Sequence, residues 1–508
     1  MQNKRCKRQR SRAPIEQAGC KSDATPREKH HRNDALMFGI SINIRYFERG
    51  LIVRTCILSP CGILGYGFPE KSFDLAMAYK PDFIVVDAGS TDAGPHKLGA
   101  GVAIVSRMAA KKDLSLLLKG AKAANIPLII GSAGGSGARV HTEWTLDIIH
   151  EILHELDWQP RLAVIWADIP NAEILAAQAE GKVVKMSQNV PDLTEESLSN
   201  TNGVVAQMGA EPILKALEAK AQVIVCGRAY DPSPFAAAGI FRGHDAGLSY
   251  HLGKILECGA LCCEPGTTKD CILGILEEDH FDVVSANPDR KCTPVSVAAH
   301  TFYEKDHPYL LYGPGILLDL SSCRFDDLGE GKVRVSGSKL YRQPYTVKME
   351  GARPVAFRTF VIAGIRDPIL IAQIEDVEKE VEKSVRAYYR DIPEKDYEIR
   401  FYHYGKDGVM GALEPDSTLP HEIGLMFEVI AKTQDLANAV CASVRSTYLH
   451  YGYPGRKSTA GNLAFPFAPS DVPFGKVYAF SVYHLLSVDD PCRLFPMEIL
   501  EAGNDKAV

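Results

Sequence analysis

Between Leu51 and Phe241 the chain repeats one pattern: a short apolar run rich in β-branched residues, a turn, then a helical segment. The runs are "LIVRTCILS", "DFIVVD", "PLIIGS", "RLAVIWAD", "GVVAQMG" and "AQVIVCGR". A strand with one wet face alternates apolar and polar residues, whereas a strand covered on both faces reads as a continuous apolar run. Six such runs separated by helices predict an α/β domain over 51–312, built on a doubly wound, mostly parallel sheet.

The texture then changes. Residues 247–312 read as a helical and loop extension, with "GLSYHLGKILECGALCCEPG" as its core helix. Beyond 313 come strand "VAFRTFVIAG", helix 368–391, strands "YEIRFYHYG" and "EIGLMFEVIA", helix 434–450 and strand "VYAFSVYHLL". That βαββαβ order predicts a ferredoxin-like α+β domain over 313–500. Residues 1–34 carry ten Lys/Arg, four Asp/Glu and few large apolar side chains, too little to offset ordering entropy, and are expected to be a disordered basic leader. Its "KRCKRQR" fits a nuclear signal or basic arm, an uncleaved leader or, less well, a mitochondrial one.

A net charge of −6 gives no general case for nucleic acid or an anionic membrane as partner. No apolar run reaches the roughly 18 residues of a transmembrane helix. Thirteen cysteines, with no apolar secretory signal ahead of them, suggest free thiols in a reducing compartment, cytoplasmic or alternatively mitochondrial.

In an open parallel sheet, ligands bind beyond the carboxyl ends of the strands. Cys61 follows the first run and Asp87 ends the second. "IGSAGGSG", with Ser132, Gly134, Gly135 and Ser136, follows the third; Asp168 follows the fourth; Gln207 and Glu211 follow the fifth; Arg228 and Asp231 follow the sixth. The glycine loop lacks the Lys-Ser/Thr of a Walker loop and the G-x-G-x-x-G of a dinucleotide loop. Close backbone approach to an anion at a helix N-terminus, or a tight structural turn, are the two readings left. Arg228 and Asp231 suit a structural ion pair or, through the guanidinium, a carboxylate clamp. Cys61 sits in a tight turn as a small buried residue or a low-pKa thiol. Glu257 and Cys258 lie on an apolar helix, where a carboxylate faces solvent, a partner or the crevice. The spacing of Cys258, Cys262, Cys263 and Cys271 matches no standard zinc finger or ribbon and has no nearby His, so core thiols are expected and no metal site is assigned. The long loop "HYGYPGRKSTAGNLAFPFAPSDVP" offers Arg456, Lys457, Asn462 and Asp471 for closure over the crevice or for an oligomer contact.

In order along the chain, "GSAGGSG", "VVAQMGAEPILKALEAKAQVIVCGRAYDPSPFAA", "GKILECGA", "HTFYEKDHPY" and "VRVSG" resemble the acyclic terpene utilisation (AtuA) family, formerly a domain of unknown function. The resemblance spans roughly 54–500. It implies relatives in citronellol and geraniol degradation, a route through CoA thioesters, and it supports Asp87, Gly134, Gly135, Gly227, Arg228, Asp231, Glu257 and Cys258. The chain departs at "CGILGYG", where terpene-pathway members resemble "GFWGD", which puts Cys61 as a shared nucleophile in doubt.

Together these features point to a lyase, hydratase or hydrolase acting on a small carboxylic acid or its CoA thioester. No cofactor is expected, only the thioester as a possible substrate. Asp87 or Glu257 is the candidate general base, with Asp231 beside them and Cys258 as acid or nucleophile. The anion would rest on the 131–137 loop and Arg228. A homo-oligomer is expected. A non-catalytic ligand-binding or assembly subunit is the alternative.

Overall fold

The computed structural model describes residues 54–501, apart from 305 and 458. The expected leader lies outside the described residues. The described residues form one compact unit.

The chain begins β1 (Thr55–Ser59), α1 (Glu70–Met77), β2 (Phe83–Asp87), α2 (His96–Ala100), α3 (Arg107–Ala124), β3 (Leu128–Gly131), α4 (Arg139–Glu155) and β4 (Arg161–Ile165). It continues α5 (Asn171–Ala179), β5 (Val183–Lys185), α6 (Glu195–Ser199), β6 (Val204–Ala206), α7 (Glu211–Glu218), β7 (Val223–Cys226), α8 (Ser233–Phe241) and α9 (Ala246–Leu256). Then follow β8 (Cys263–Glu264), β9 (Ile272–Leu276), β10 (His280–Val284), β11 (Lys291–Cys292), α10 (Pro294–Phe302), β12 (Leu310–Gly313), β13 (Ile316–Asp319), β14 (Arg324–Asp327), β15 (Lys332–Ser336) and β16 (Lys339–Arg342). The last elements are β17 (Thr346–Ile365), α11 (Pro368–Ile371), α12 (Ile374–Tyr388), β18 (Tyr397–Tyr404), β19 (Ile423–Ala431), α13 (Gln434–His450), β20 (Val472–Ser487) and β21 (Met497–Glu501).

Ten strands form the first sheet, ordered β14-β15-β10-β9-β1-β2-β3-β7-β4-β21. Its centre, β1-β2-β3-β7-β4, is parallel, as the apolar runs require. Alternate residues serve opposite faces. Ile84 and Val86 pack with Leu114 of α3 and Ile149 of α4, whereas Phe83 and Val85 pack with Ile213 of α7, Phe235 of α8 and Leu252 of α9. The doubly wound expectation therefore holds for the centre. "Mostly parallel" does not: four pairings are parallel and five antiparallel, because β9, β10, β15 and β14 pair antiparallel in succession and β21 returns against β4. The stretch 247–312, expected to be helix and loop, supplies β9 and β10 of this sheet.

The second sheet has the order β18-β19-β17-β20-β5, with β6 on β17, and all its pairings are antiparallel. Helix α12 turns Ile374, Val377, Val381 and Val385 inward; α13 turns Val440, Cys441, Val444 and Tyr448 inward, all against Val361, Leu425 and Phe427. The cut expected at 312/313 does not separate the sheets. Strands β14, β15 and β21 follow it yet pair in the first sheet, while β5 and β6 precede it yet pair in the second. Strand β6, the "GVVAQMG" run expected in the parallel sheet, lies antiparallel to β17, with Val205 opposite Glu350. No helix among the described residues is long and apolar enough to cross a membrane.

Candidate functional site

Strands β3 and β7 are neighbours, but the chain leaves them on opposite faces, into α4 and α8. Divergence of this kind opens a crevice at the carboxyl edge of a sheet. The glycine loop and the Arg228 turn meet at this edge, Arg228 N donating to the Gly137 carbonyl at 3.1 Å. A Cβ on Gly137, whose φ is +64°, would lie 2.2 Å from the Arg228 nitrogen, and one on Gly134 would lie 2.7 Å from the His141 carbonyl. These glycines let protein backbones approach each other. The N-terminus of α4 already has an anion: the Asp168 carboxylate accepts a hydrogen bond from Arg139 N at 3.1 Å. The ligand anion expected here thus meets a position that the chain itself fills. Ser132 is also occupied, its Oγ accepting from Arg228 Nη1 at 3.0 Å and from Ala229 N at 3.3 Å. Ser136 Oγ is buried without a hydrogen-bond partner.

Arg228 is 1% exposed. Its Nε donates to Glu350 Oε2 at 2.9 Å, and its Nη1 donates to Asp231 Oδ1 and to the Ala229 carbonyl, each at 2.8 Å. Glu350 also receives Lys348 Nζ at 2.8 Å and Thr91 Oγ1 at 2.6 Å. Arg228 and Lys348 hold its carboxyl down at about 2 despite complete burial. Of the two roles left open for Arg228, these contacts describe the buried ion pair, with Glu350 as chief partner.

Asp87, at the end of β2, is 6% exposed and accepts from Gly89 N at 3.4 Å. Its Oδ1 lies 3.5 Å from where a Cβ on Gly131 would stand, so it borders the glycine loop. Burial pushes its carboxyl well above the usual range, with Asp231 and Glu257 adding to the rise against the pull of Arg228. Glu257 caps the end of α9 at 5% exposure; Lys254 Nζ donates to its Oε1 at 2.6 Å, while Oε2 is buried and unpaired. Burial, only partly offset by Lys254, raises Glu257 to about 8. Burial also raises Asp231, against Arg228; 27% of its side chain still reaches solvent, which sets it at the mouth.

The charges can be counted. Asp87, Asp231, Glu257 and Glu350 face Arg228, Lys254 and Lys348. Glu350 stays ionised and offsets one cation, so three carboxyls share the other two, and like charges in a desolvated site retain a proton. Glu304, the remaining acid near Lys254, is 59% exposed and screened.

The thiols are quiet. Cys258 Sγ meets the Tyr303 hydroxyl at 2.9 Å, and burial pushes it up to about 12. Cys61 is fully buried, donates to the Ile63 carbonyl at 3.4 Å and is raised by burial. Neither is a ready thiolate. The long loop binds mostly itself: Arg456 donates to the His450 and Ala460 carbonyls, and Asn462 to those of Tyr448 and Tyr451. Asp471 pairs with Arg445 at 2.9 Å. Gln207 reaches Glu350 at 3.5 Å, and Glu211 accepts from Tyr345 at 2.8 Å. Sequence reasoning missed Glu350, Lys348, Lys254 and Tyr303. The one local signal was Lys254 in "GKILE", three residues before Glu257, within a helix buried all round.

The fold and the cluster describe an α/β protein that keeps a proton-holding group of carboxyls at a topological switch point. The model of the acyclic terpene utilisation family protein AtuA matches residues 109–465, and the chain belongs to this family. That span takes in Arg228, Asp231, Glu257 and Glu350; Asp87 lies before it. No curated protein and no solved structure matches the chain.

Proposed function

We propose that the protein is an enzyme of acyclic terpene catabolism that transfers protons to and from a small branched carboxylic acid or its CoA thioester, by lyase, hydratase or hydrolase chemistry. The observation that carries this is the Asp87–Asp231–Glu257 group: carboxyls at the end of β2, before α8 and at the end of α9, close enough that Asp231 and Glu257 both act on Asp87, with Asp87 and Glu257 both raised by burial. Proton transfer beside a carbonyl needs one carboxyl that keeps its proton and another that can take one, and buried, mutually repelling carboxyls supply both. Asp87 or Glu257 holds the proton and the other accepts it. Lys254 keeps Glu257 oriented, and Arg228 acts through Asp231 rather than on the substrate. The family's name supports the terpenoid class. The strand order β18-β19-β17-β20, with α12 and α13 on one face, supports a ferredoxin-like reading of the second sheet, which we assign to assembly into a homo-oligomer.

A thermal-shift screen of acyclic terpenoid acids, other small carboxylates and acyl-CoAs, followed by turnover assays on each hit, tests the proposal. Asp87→Asn and Glu257→Gln are expected to keep binding and to lower turnover at least about 100-fold, the range of lost acid–base catalysis. Undiminished turnover in both variants would overturn it. A hit that binds tightly and is never turned over would favour the scaffold reading, for which the engagement of Arg228 Nε and Nη1 by protein groups already speaks.

A further inference from the structure

Three sulfurs that the spacing did not connect meet beneath a small ribbon. Those of Cys262, Cys263 and Cys292 lie within 4.8 Å of one another, and all three residues are buried. Cys262 ends a short 3-10 helix, Gly259–Cys262, and Cys263 opens β8. Strand β8 pairs antiparallel with β11, which sets Cys292 directly opposite Cys263, their sulfurs 3.6 Å apart. All three are free thiols. Cys258 and Cys271, counted with this cluster on sequence spacing, are elsewhere: Cys258 is bonded to Tyr303, and Cys271 is on the other core face.

We propose that Cys262, Cys263 and Cys292 bind one thiophilic d10 cation, of the Zn2+, Cd2+ or Cu+ kind. Thiolates at tetrahedral corners around an ion at the usual Zn–S length of about 2.3 Å stand about 3.8 Å apart, close to the 3.6 Å between Cys263 and Cys292. The sulfurs carry no competing oxygen ligand among them, which selects soft cations over Mg2+ or Ca2+. Binding forms three metal–sulfur bonds, each replacing an S–H bond whose proton leaves to solvent, and no electron moves. The exposed residues Leu261, Glu264 and Lys291 border the ribbon, so a cation needs only local fraying to enter. The consequence reaches the carboxyl cluster. Gly259 begins the same short helix, and a Cβ there would stand 2.7 Å from Gly62 N, so a cation would pin the segment that follows Glu257 and Cys258.

The test uses the full chain, reduced, stripped with a chelator and titrated with Cd2+ without oxygen, following thiolate-to-metal charge-transfer absorption and the melting temperature. One equivalent per chain and a rise in melting temperature are expected, because an ion that binds only the folded state stabilises it. Cys263→Ala and Cys292→Ala should abolish the band; Cys441→Ala, a thiol of α13 buried against the second sheet, should keep it. Should the variants not fold, maleimide labelling of the wild type read by mass spectrometry answers the same question, with all three cysteines protected by Cd2+. The proposal fails if no band appears at one equivalent, if the band survives both substitutions, or if freshly isolated protein carries a Cys263–Cys292 disulfide.

Discussion

Replacing Glu350 with glutamine keeps the shape of the side chain and removes the charge on which Arg228 and Lys348 converge. Its carboxyl ionises at about 2 in the folded protein against 4.5 ordinarily. That difference of about 2.5 units corresponds to about 3 kcal/mol of stability at neutral pH. Truncating one partner of a buried ion pair costs a similar amount, about 3–5 kcal/mol, because the other charge is left desolvated. The sign follows from linkage. A depressed carboxyl binds fewer protons folded than unfolded, so its contribution is complete above about 4.5 and fades as the pH falls toward 2. Urea unfolding of wild type and Glu350→Gln, followed by circular dichroism at several pH values from 7 to 3.5, should show a gap of about 3 kcal/mol that narrows below about 4.5. Adding Arg228→Met to Glu350→Gln should cost less than the two substitutions separately, since the pair leaves together. A gap under about 1 kcal/mol at pH 7, or one that stays constant down to 3.5, would refute the ion-pair account of Arg228 and restore the clamp.

Glu257 has the opposite sign. Raised to about 8, it keeps in the folded state a proton that the unfolded chain releases above 4.5, so wild-type stability should fall as pH rises through that window. Glu257→Gln should flatten the melting-temperature profile between pH 5 and 8, and an unchanged slope would count against a proton held there. Gly137→Ala should prevent stable folding, because the new carbon meets the Arg228 backbone at 2.2 Å, whereas Gly94→Ala, with φ +103° and open space around it, should cost only the roughly 1–2 kcal/mol of left-handed strain; soluble yield and melting temperature compare them. Asp168→Ala should destabilise α4 by about 1 kcal/mol, the worth of a lost N-cap acceptor, measurable by urea unfolding. Neither Cys61 nor Cys258 should react quickly with a disulfide reagent at pH 7.5, and Cys61→Ser should leave any turnover intact.

Local order along the chain determined a good deal by itself. Continuous apolar runs such as "DFIVVD" and "PLIIGS" became central parallel strands because burial on both faces is written into each residue. The stretch 368–391, expected as one helix, holds α11 and α12, and the 3.6-residue spacing of Ile374, Val377, Val381 and Val385 puts them on the one face that α12 buries. Asp87, Asp231 and Glu257 were legible as candidates because a carboxylate that ends an apolar run, or interrupts an apolar helix, must find a special environment.

Pairing was decided only in three dimensions. "GVVAQMG" and "DFIVVD" look alike as apolar runs, yet hydrogen bonds to β17 took β6 into the other sheet, and strand partners are not encoded in a run's own composition. The fate of Arg228 was settled by Glu350, 122 residues away and carried in on a strand of the second sheet. A guanidinium in a sequence is equally ready for a substrate or a side chain, and only the desolvated neighbour that reaches it first decides which. The same holds for the thiols. The sequence grouped Cys258 with Cys262 by proximity, whereas the β8–β11 pairing grouped Cys263 with Cys292, because strand register, rather than distance along the chain, brings side chains together.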